Sequence, residues 1–296
     1  MNQSSVATAT RDSAETLFQH LLVAYDSSEA SETALQYAIV FARAFGSLVT
    51  VASVQSAADF AVDMESGLGR VKDTHDQLRA DLQLVTERLN AAGVRSRAML
   101  RSGSVADVLV QLAASADADL LLLGAYGHKG MDKLRLGSTA EFMLRSMPCA
   151  VLTIGPGSVL REHGPRPLRT LLYASSLPAK SGRAGQFVKV LAKKLSARVK
   201  IVHVIDDQAH DTRTLAEIRE AEMALARDFL DERIEISYEL MHGPQSQRIL
   251  ELANATQADL IVFGLEHNSP RPDVMGAISR TIRQAPCPLL TVPGPA

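Results

Sequence analysis

Short apolar runs alternate along the chain with longer stretches of helical periodicity. In the first half, runs rich in Leu, Val and Ile predict strands near residues 20–25, 48–54, 95–100, 119–124 and 149–154. Stretches with helical periodicity lie between these strands. One of them carries an apolar face and is followed by Gly93, which suits the left-handed position after a helix end; the face consists of Val71, Leu78, Leu82, Val85 and Leu89. Strands alternating with helices are typical of a parallel sheet with crossover helices.

The second half of the chain repeats the first. Residues 21–24 align with residues 171–174, and residues 49–54 align with residues 199–204. The helical stripe between them is also kept, since Tyr37, Val40, Phe41 and Phe45 align with Phe187, Val190, Leu191 and Leu195. Further on, Gly103, Asp119, Gly124 and Cys149 align with Gly243, Asp259, Gly264 and Cys287. The second-half counterpart of the stripe before Gly93 is predicted over roughly 212–230. Two homologous halves are the economical explanation.

These patterns predict an α/β fold made of two tandem, doubly wound, five-stranded parallel sheets with helices on both faces. We divide the chain into a disordered polar tail (1–18), a first domain (19–155), a Gly- and Pro-rich linker (156–168) and a second domain (169–296). In such folds, ligands bind beyond the carboxyl ends of the strands, where the strand order reverses.

Composition narrows the functional classes. The 296 residues include 31 Lys and Arg against 33 Asp and Glu, so the net charge of −2 does not favour a nucleic acid or an anionic membrane as partner. Cys149 and Cys287 cannot supply a Cys-rich zinc site, and as repeat equivalents they are expected to be buried. Without a signal peptide or a long apolar stretch, we expect a cytoplasmic protein.

The most informative segment follows the fourth strand. Gly124 and Gly127 would let the backbone approach a ligand, and Gly137, Ser138 and Thr139 open a helix whose free N–H groups suit a phosphate. The alternative is that the glycines turn the chain and a hydroxyl caps the helix. The spacing matches neither the P-loop nor the dinucleotide fingerprint.

The pattern Gly124-x2-Gly127-x9-Gly137-Ser138, with residues 23–28 after the first strand, resembles the universal stress protein family in its tandem form. The resemblance implies ATP as ligand, with or without Mg²⁺. It places the ribose and phosphates on Gly124, Gly127, Gly137 and Ser138, and the adenine on Asp26 and Val54. Thr139 could add an N–H group. Tyr126 stands where the family often has His, which could alter the ribose contacts.

Two alternatives stay open around this motif. Asp26 could instead be the N-cap of the following helix, with Ser27 and Ser28 as competitors. His128 and Lys129 could touch a terminal phosphate or lie in a solvated loop.

The second half has lost the motif. Ser176 replaces Asp26, and His267 replaces Gly127. The loop is expected to end at residues 273–277, where no hydroxyl follows Gly276. Pro270 and Pro272 would stiffen the loop and remove donors. We predict no ATP in the second half, whose own ligand the sequence does not name.

The last strand of each half would be an exposed sheet edge. The family pairs these strands across a dimer, which implies an internal pseudo-dimer here, able to dimerise again. The resemblance therefore implies an ATP-binding stress-response regulator or sensor with at most slow hydrolysis. A slow ATPase or self-phosphorylating enzyme, and a nucleotide-independent interaction module, are the alternatives.

Overall fold

A computed structural model of the chain describes residues 17–56, 68–127, 136–146, 148–158, 165, 167–176, 182–205, 214–230, 234–265 and 272–294. His128, Lys129, His267 and Pro270 lie outside the described residues, as do most of the predicted tail and much of the predicted linker.

Ten strands of the described segments form one continuous sheet in the order β3-β2-β1-β4-β5-β10-β9-β6-β7-β8. The strands of the first half are β1 (His20–Ala24), β2 (Leu48–Gln55), β3 (Ser96–Ser102), β4 (Leu120–Gly124) and β5 (Ala150–Ile154). Those of the second half are β6 (Thr170–Ala174), β7 (Arg198–Ile205), β8 (Ile236–His242), β9 (Leu260–Gly264) and β10 (Leu289–Val292). Within each half all pairings are parallel, which confirms the predicted fold class.

Eight helices of the described segments cover both faces of this sheet. They are α1 (Glu29–Phe45), α2 (Leu68–Ala91), α3 (Val105–Ser115), α4 (Ser138–Ser146), α5 (Arg183–Leu195), α6 (Leu215–Leu230), α7 (Gln245–Ala255) and α8 (Pro272–Gln284), with a short 3₁₀ turn at Pro156–Ser158. None of them is both long and apolar enough to cross a bilayer. Leu21, Leu22 and Val23 of β1 are all fully buried. Burial on both faces explains why the strands appear in the sequence as continuous apolar runs.

The apolar side chains form two cores, one on each face of the sheet. The first core contains Leu35 and Phe41 of α1 together with Phe187 and Leu191 of α5. The second contains Leu109 of α3 and Ile249 of α7. Each core therefore extends through both halves of the chain.

The two halves meet where β5 and β10 pair antiparallel, with Leu152 opposite Leu290. On one face, the rings of Phe18 and Phe187 lie edge to face with centroids 5.1 Å apart. On the other face, the backbone at Gly155 and Gly157 passes so close to the end of α8 that an added Cβ would lie 2.0 Å and 2.3 Å from the carbonyl oxygens of Ile282 and Ala285. The start of the predicted linker is thus packed against the second half.

Candidate functional site

A crevice is expected at the carboxyl end of β1, because β1 lies between β2 and β4 and the chain order reverses there. The chain leaves β1 through residues 25–28 and enters α1. It leaves β4 through residues 125–127, and α4 begins at Ser138. The predicted site residues are therefore brought to one edge of the sheet.

Ser28, and not Asp26, is the N-cap of α1. The Ser28 side chain accepts a hydrogen bond from the backbone N–H of Ser31 at 3.2 Å. The Asp26 Oδ1 accepts a hydrogen bond from the backbone N–H of Ser28 at 3.1 Å, which fixes the turn between β1 and α1. The capping role left open for Asp26 by the sequence is thus taken by its neighbour.

Asp26 lies beside Gly127 at this edge of the sheet. A Cβ built on Gly127 would lie 3.3 Å from the Oδ2 of Asp26. A side chain at position 127 would therefore press against the carboxylate, and the Asp26 side chain would have to move by a few tenths of an ångström.

Gly124 and Gly137 allow chain segments to pack closely. A Cβ on Gly124 would lie 2.7 Å from the Cβ of Ala30, and a Cβ on Gly264 would lie equally close to that of Ala184 in the second half. Gly124 is thus explained by packing of its strand against α1, independently of any ligand. Gly137 donates its N–H to the carbonyl of Ala125 at 2.9 Å, and a Cβ there would lie 3.1 Å from the same oxygen.

The first turn of α4 contains Ser138, which is exposed, and Thr139, which is half-buried. The first N–H groups of a helix have no partners within the helix and carry the positive end of its dipole. The Gly137 carbonyl accepts from the N–H of Glu141, and the Glu141 carboxylate pairs with Arg145 at 3.1 Å. The arrangement suits an anion at the start of α4.

Val54 is half-buried near the carboxyl end of β2. The register pairs Ala24 of β1 with Ala52 of β2, and the N–H of Tyr25 donates to the carbonyl of Ala52 at 2.8 Å. Two residues further along each segment, Asp26 and Val54 are at the same level of the sheet. The two residues assigned to adenine by the resemblance therefore belong to adjacent strand ends.

The structure adds a polar network beside Asp26 that the sequence did not reveal. The Tyr25 hydroxyl donates to the carboxylate of Glu32, which also accepts from both terminal nitrogens of Arg88 at 3.1 Å and 2.8 Å. Burial, together with the Glu32 hydrogen bond and charge, raises the pKa of Tyr25 to about 12. Burial acts to raise the pKa of Glu32, but the hydrogen bonds from Arg88 and Tyr25 outweigh it and the pKa is lowered.

Gln55, the residue after Val54, is a second feature that the sequence did not reveal. Its side chain is almost completely buried, and neither amide atom has a hydrogen-bond partner among the described residues. Its repeat equivalent, Ile205, is apolar. A buried amide without partners costs free energy, so its presence next to the crevice distinguishes the first half from the second.

The equivalent position in the second half, at the carboxyl end of β6, differs from the site of the first half in both its charge and its backbone. Ser176 is half-buried at the position of Asp26. The helix α8 begins at Pro272, so Gly276 lies inside it, whereas Gly137 precedes α4. The expectation of a loop running to Gly276 was wrong because Pro272 is well suited to the first helical position. Nearby, His203 is buried with its Nδ1 2.9 Å from the carbonyl oxygen of Ser175.

Groups for metal binding or thiol chemistry are not found in the described segments. No three His, Cys, Asp or Glu side chains come together in a way that could hold a metal ion there. Cys149 and Cys287 are buried, and burial raises the pKa of each thiol to about 12. Their thiolates are therefore scarce at neutral pH, which agrees with the expected structural role.

Fold and site together define a tandem, doubly wound α/β protein with a glycine-lined crevice at its first switch point. A model of the universal stress protein family matches residues 17–155 and again residues 167–293. The chain belongs to the universal stress protein family, a family of stress-response proteins, in its tandem two-domain form.

Known relatives are similar to one half or to the whole chain. The Thermus aquaticus protein named "Universal stress protein in QAH/OAS sulfhydrylase 3'region" is 30% identical over 142 residues, which cover 47% of this chain and 99% of the relative. Universal stress protein MJ0531 of Methanocaldococcus jannaschii is 25% identical over 142 residues, covering 47% of this chain and 84% of that protein. The crystal structure of a universal stress protein from Archaeoglobus fulgidus covers 94% of this chain and 98% of its own, with a TM-score of 0.75. At 20% sequence identity, that likeness concerns the fold alone.

Proposed function

We propose that the first half binds an adenine nucleotide, ATP with or without Mg²⁺, in the crevice between β1 and β4. The chain then acts in the cytoplasm as a stress-response regulator or sensor, whose nucleotide-bound state alters its partners or its assembly. Turnover of the nucleotide is at most slow.

The juxtaposition of Asp26 and Gly127 carries this proposal. The carboxylate of Asp26 is at the level of Val54, where it can accept a hydrogen bond from an adenine amino group. Gly127 keeps the space beside it open, and the first turn of α4 offers N–H groups for the phosphates.

One nucleotide per chain follows from the asymmetry of the halves. Ser176 provides no carboxylate in the second crevice, and α8 begins with Pro272, which has no N–H to donate. The second half is expected to leave ATP unbound.

Calorimetric titration of the nucleotide-free full chain with ATP, with and without Mg²⁺, tests the proposal. We expect one site per chain. Gly127→Ala places a methyl group beside the Asp26 carboxylate and should weaken binding by roughly tenfold or more. Asp26→Ala should do the same by removing the acceptor.

Gly276→Ala is the control: it is also a glycine-to-alanine change, but in the second half, at the counterpart of Gly137. An added Cβ there meets nothing within 4 Å, so ATP affinity should not change. Thermal melts of all variants report whether they fold. Absence of binding in the intact protein would favour a nucleotide-independent interaction module, and two equal sites would contradict the predicted asymmetry. Phosphate release at a steady, rapid rate would contradict the assignment as a regulator.

A further inference from the structure

The ten-stranded sheet ends on two edge strands that differ in the side chains they carry. β3 is the edge strand of the first half, and β8 is its repeat equivalent in the second half. The outer side of an edge strand carries backbone N–H and C=O groups that no strand of the sheet uses, and charged residues are one means by which proteins prevent unwanted pairing there. The two edges of this sheet differ in that protection.

The edge at β3 is protected by arginines. Arg97 and Arg101 lie on this strand, and Arg95 directly precedes it. The residues that alternate with the arginines are small or polar apart from one leucine, and they are Ser96, Ala98, Leu100 and Ser102. This strand offers little apolar surface to a partner, and its positive charges would repel those of a second copy.

The edge at β8 lacks this protection. The seven residues of β8 include no Lys, Arg or Pro. Their carboxylate, that of Glu239, is paired with Lys200 of β7 at 2.7 Å. Alternate residues along this segment are apolar or aromatic, partly buried and packed against the first core; they are Ile234, Ile236, Tyr238 and Leu240. The first core therefore continues to this edge of the sheet as a row of large side chains.

The hydrogen bonds between β7 and β8 determine which backbone groups point outward. The carbonyl of Glu235 accepts from the N–H of Val199, and the N–H of Gly243 donates to the last residue of β7. In a parallel ladder every second residue of a strand bonds to a given neighbour, so the odd-numbered residues of β8 bond to β7. The N–H and C=O groups of Ile236 and Leu240 therefore point away from β7, and they have no hydrogen-bond partner among the described residues.

We propose that β8 pairs antiparallel with β8 of a second copy of the chain, about a two-fold axis at Tyr238. In this register Ile236 lies opposite Leu240 of the second copy, and the two residues exchange a pair of backbone hydrogen bonds. Tyr238 lies opposite Tyr238 of the second copy. The row of large side chains then continues from one copy into the other, and the first core becomes common to both.

Self-complementarity favours a second copy as the occupant of this edge. On the other face of the strand, the same register sets Ser237 opposite Glu239, so that a hydroxyl can donate to a carboxylate. An axis at Glu239 would instead set two carboxylates directly opposite each other, which is unfavourable. The register at Tyr238 therefore satisfies the backbone, the apolar row and the charges together.

The sheet already contains one antiparallel pairing of this kind. The pairing of β5 with β10 joins the two halves and occupies the last strand of each. Association of whole chains therefore needs another edge, and the absence of Lys, Arg and Pro leaves β8 as the edge open to pairing.

The contact is small. A pair of edge strands buries less than the roughly 1,200–2,000 Å² of a standard stable interface, so the dimer should be weak. We expect a dissociation constant in the micromolar range and a monomer–dimer equilibrium that depends on concentration.

Sedimentation of the full chain from about 1 to about 300 μM measures this equilibrium. Ile236→Lys should weaken dimerisation by roughly tenfold or more, since it places a charge in the apolar row opposite Leu240 of the second copy. Ser96→Lys is the matched control: it makes the equivalent change on β3, and dimerisation should not change.

A change of charge at Ser237, which is exposed, provides the sharper test. Ser237→Glu sets like charges opposite each other and should weaken the dimer by roughly fivefold, whereas Ser237→Lys sets a cation opposite Glu239 and should strengthen it. Ala98→Glu, at an exposed position of β3, controls for charge alone.

Circular dichroism checks that all variants fold. A monomer at every concentration would overturn the proposal. So would a dimer indifferent to Ile236→Lys, or one that responds to Ser237→Glu and Ser237→Lys in the same direction.

Discussion

Tyr25 links the strand that carries Asp26 to two helices. Its hydroxyl donates to Glu32 of α1, and Arg88 of α2 holds the other side of that carboxylate. A neutral tyrosine beside a charged glutamate is the stable state of this network. These hydrogen bonds therefore anchor the turn that contains Asp26.

The raised pKa of Tyr25 predicts how the stability of the folded protein changes at alkaline pH. The ordinary tyrosine value is about 10, and burial beside Glu32 raises the pKa of Tyr25 to about 12. The folded protein holds this proton more tightly than the unfolded chain does, so the stabilisation is complete below pH 10 and is lost as the pH rises through 12.

We expect Tyr25→Phe to lower the free energy of unfolding by about 1–2 kcal/mol near neutral pH. That difference from the wild type should shrink between about pH 10 and 12. Urea unfolding of both proteins at a series of pH values measures it. A difference that stays constant through pH 12 would contradict the assigned role of the hydroxyl.

The residues of the site also differ in how well the sequence alone predicts them. Asp26 and the glycines of the motif follow strand ends, and the glycines have a fixed spacing in the sequence. A short sequence motif is therefore enough to identify them. The partner of Glu32 is Arg88, on another helix, and no spacing rule connects the two. Gln55 is in a strand whose apolar pattern it interrupts, but its burial depends on the packing of distant segments. Tertiary contacts of this kind are not encoded in local periodicity.

At the scale of secondary-structure elements, two residues at the start of α1 have different roles, one structural and one proposed for binding. Ser28 caps the helix, while Asp26 holds the preceding turn. Ser28→Ala should therefore lower the free energy of unfolding by about 1 kcal/mol, the usual cost of an N-cap. Ser28→Asp, which keeps a capping oxygen, should retain most of the stability.

Chemical denaturation of the two Ser28 variants checks this prediction, with Asp26→Ala for comparison. If Ser28→Ala were as stable as the wild type while Asp26→Ala lost the full cost of a cap, the assignment of the N-cap would be refuted.

Strands were easier to predict than helix starts. Because both faces of the sheet are covered, central strands such as β1, β4 and β5 are nearly unbroken apolar runs. The predicted bounds of all five strands in the first half lie within two residues of those in the structure. The start of α8 was not predicted, because the loop after β9 was expected to end only at residues 273–277. A proline at the first helical position moved the start to Pro272.

At the scale of the whole molecule, the two halves are joined by a strand pair and by two shared cores. Gly155 adds a close backbone contact, since its neighbour is the carbonyl of Ile282 in the second half. Gly155→Ala would bring a Cβ to 2.0 Å from that oxygen, so the backbone of one half or the other must shift.

We expect Gly155→Ala to lower the free energy of unfolding by about 1–3 kcal/mol, the usual cost of overpacking. Gly276→Ala is the control, because an added Cβ there meets nothing within 4 Å and alanine is favoured over glycine inside a helix. Equilibrium unfolding measures both. Equal stability of the two variants would show that the Gly155 contact does not hold the halves together.

The antiparallel pairing of β5 with β10 has a consequence for how the protein can evolve. Two identical subunits joined along such strands must carry every substitution twice, once in each crevice. In a single chain, a change such as serine for aspartate affects one crevice and leaves the other intact. Covalent linkage therefore permits a division of labour, in which one half keeps its ligand chemistry while the other is free to acquire a different task.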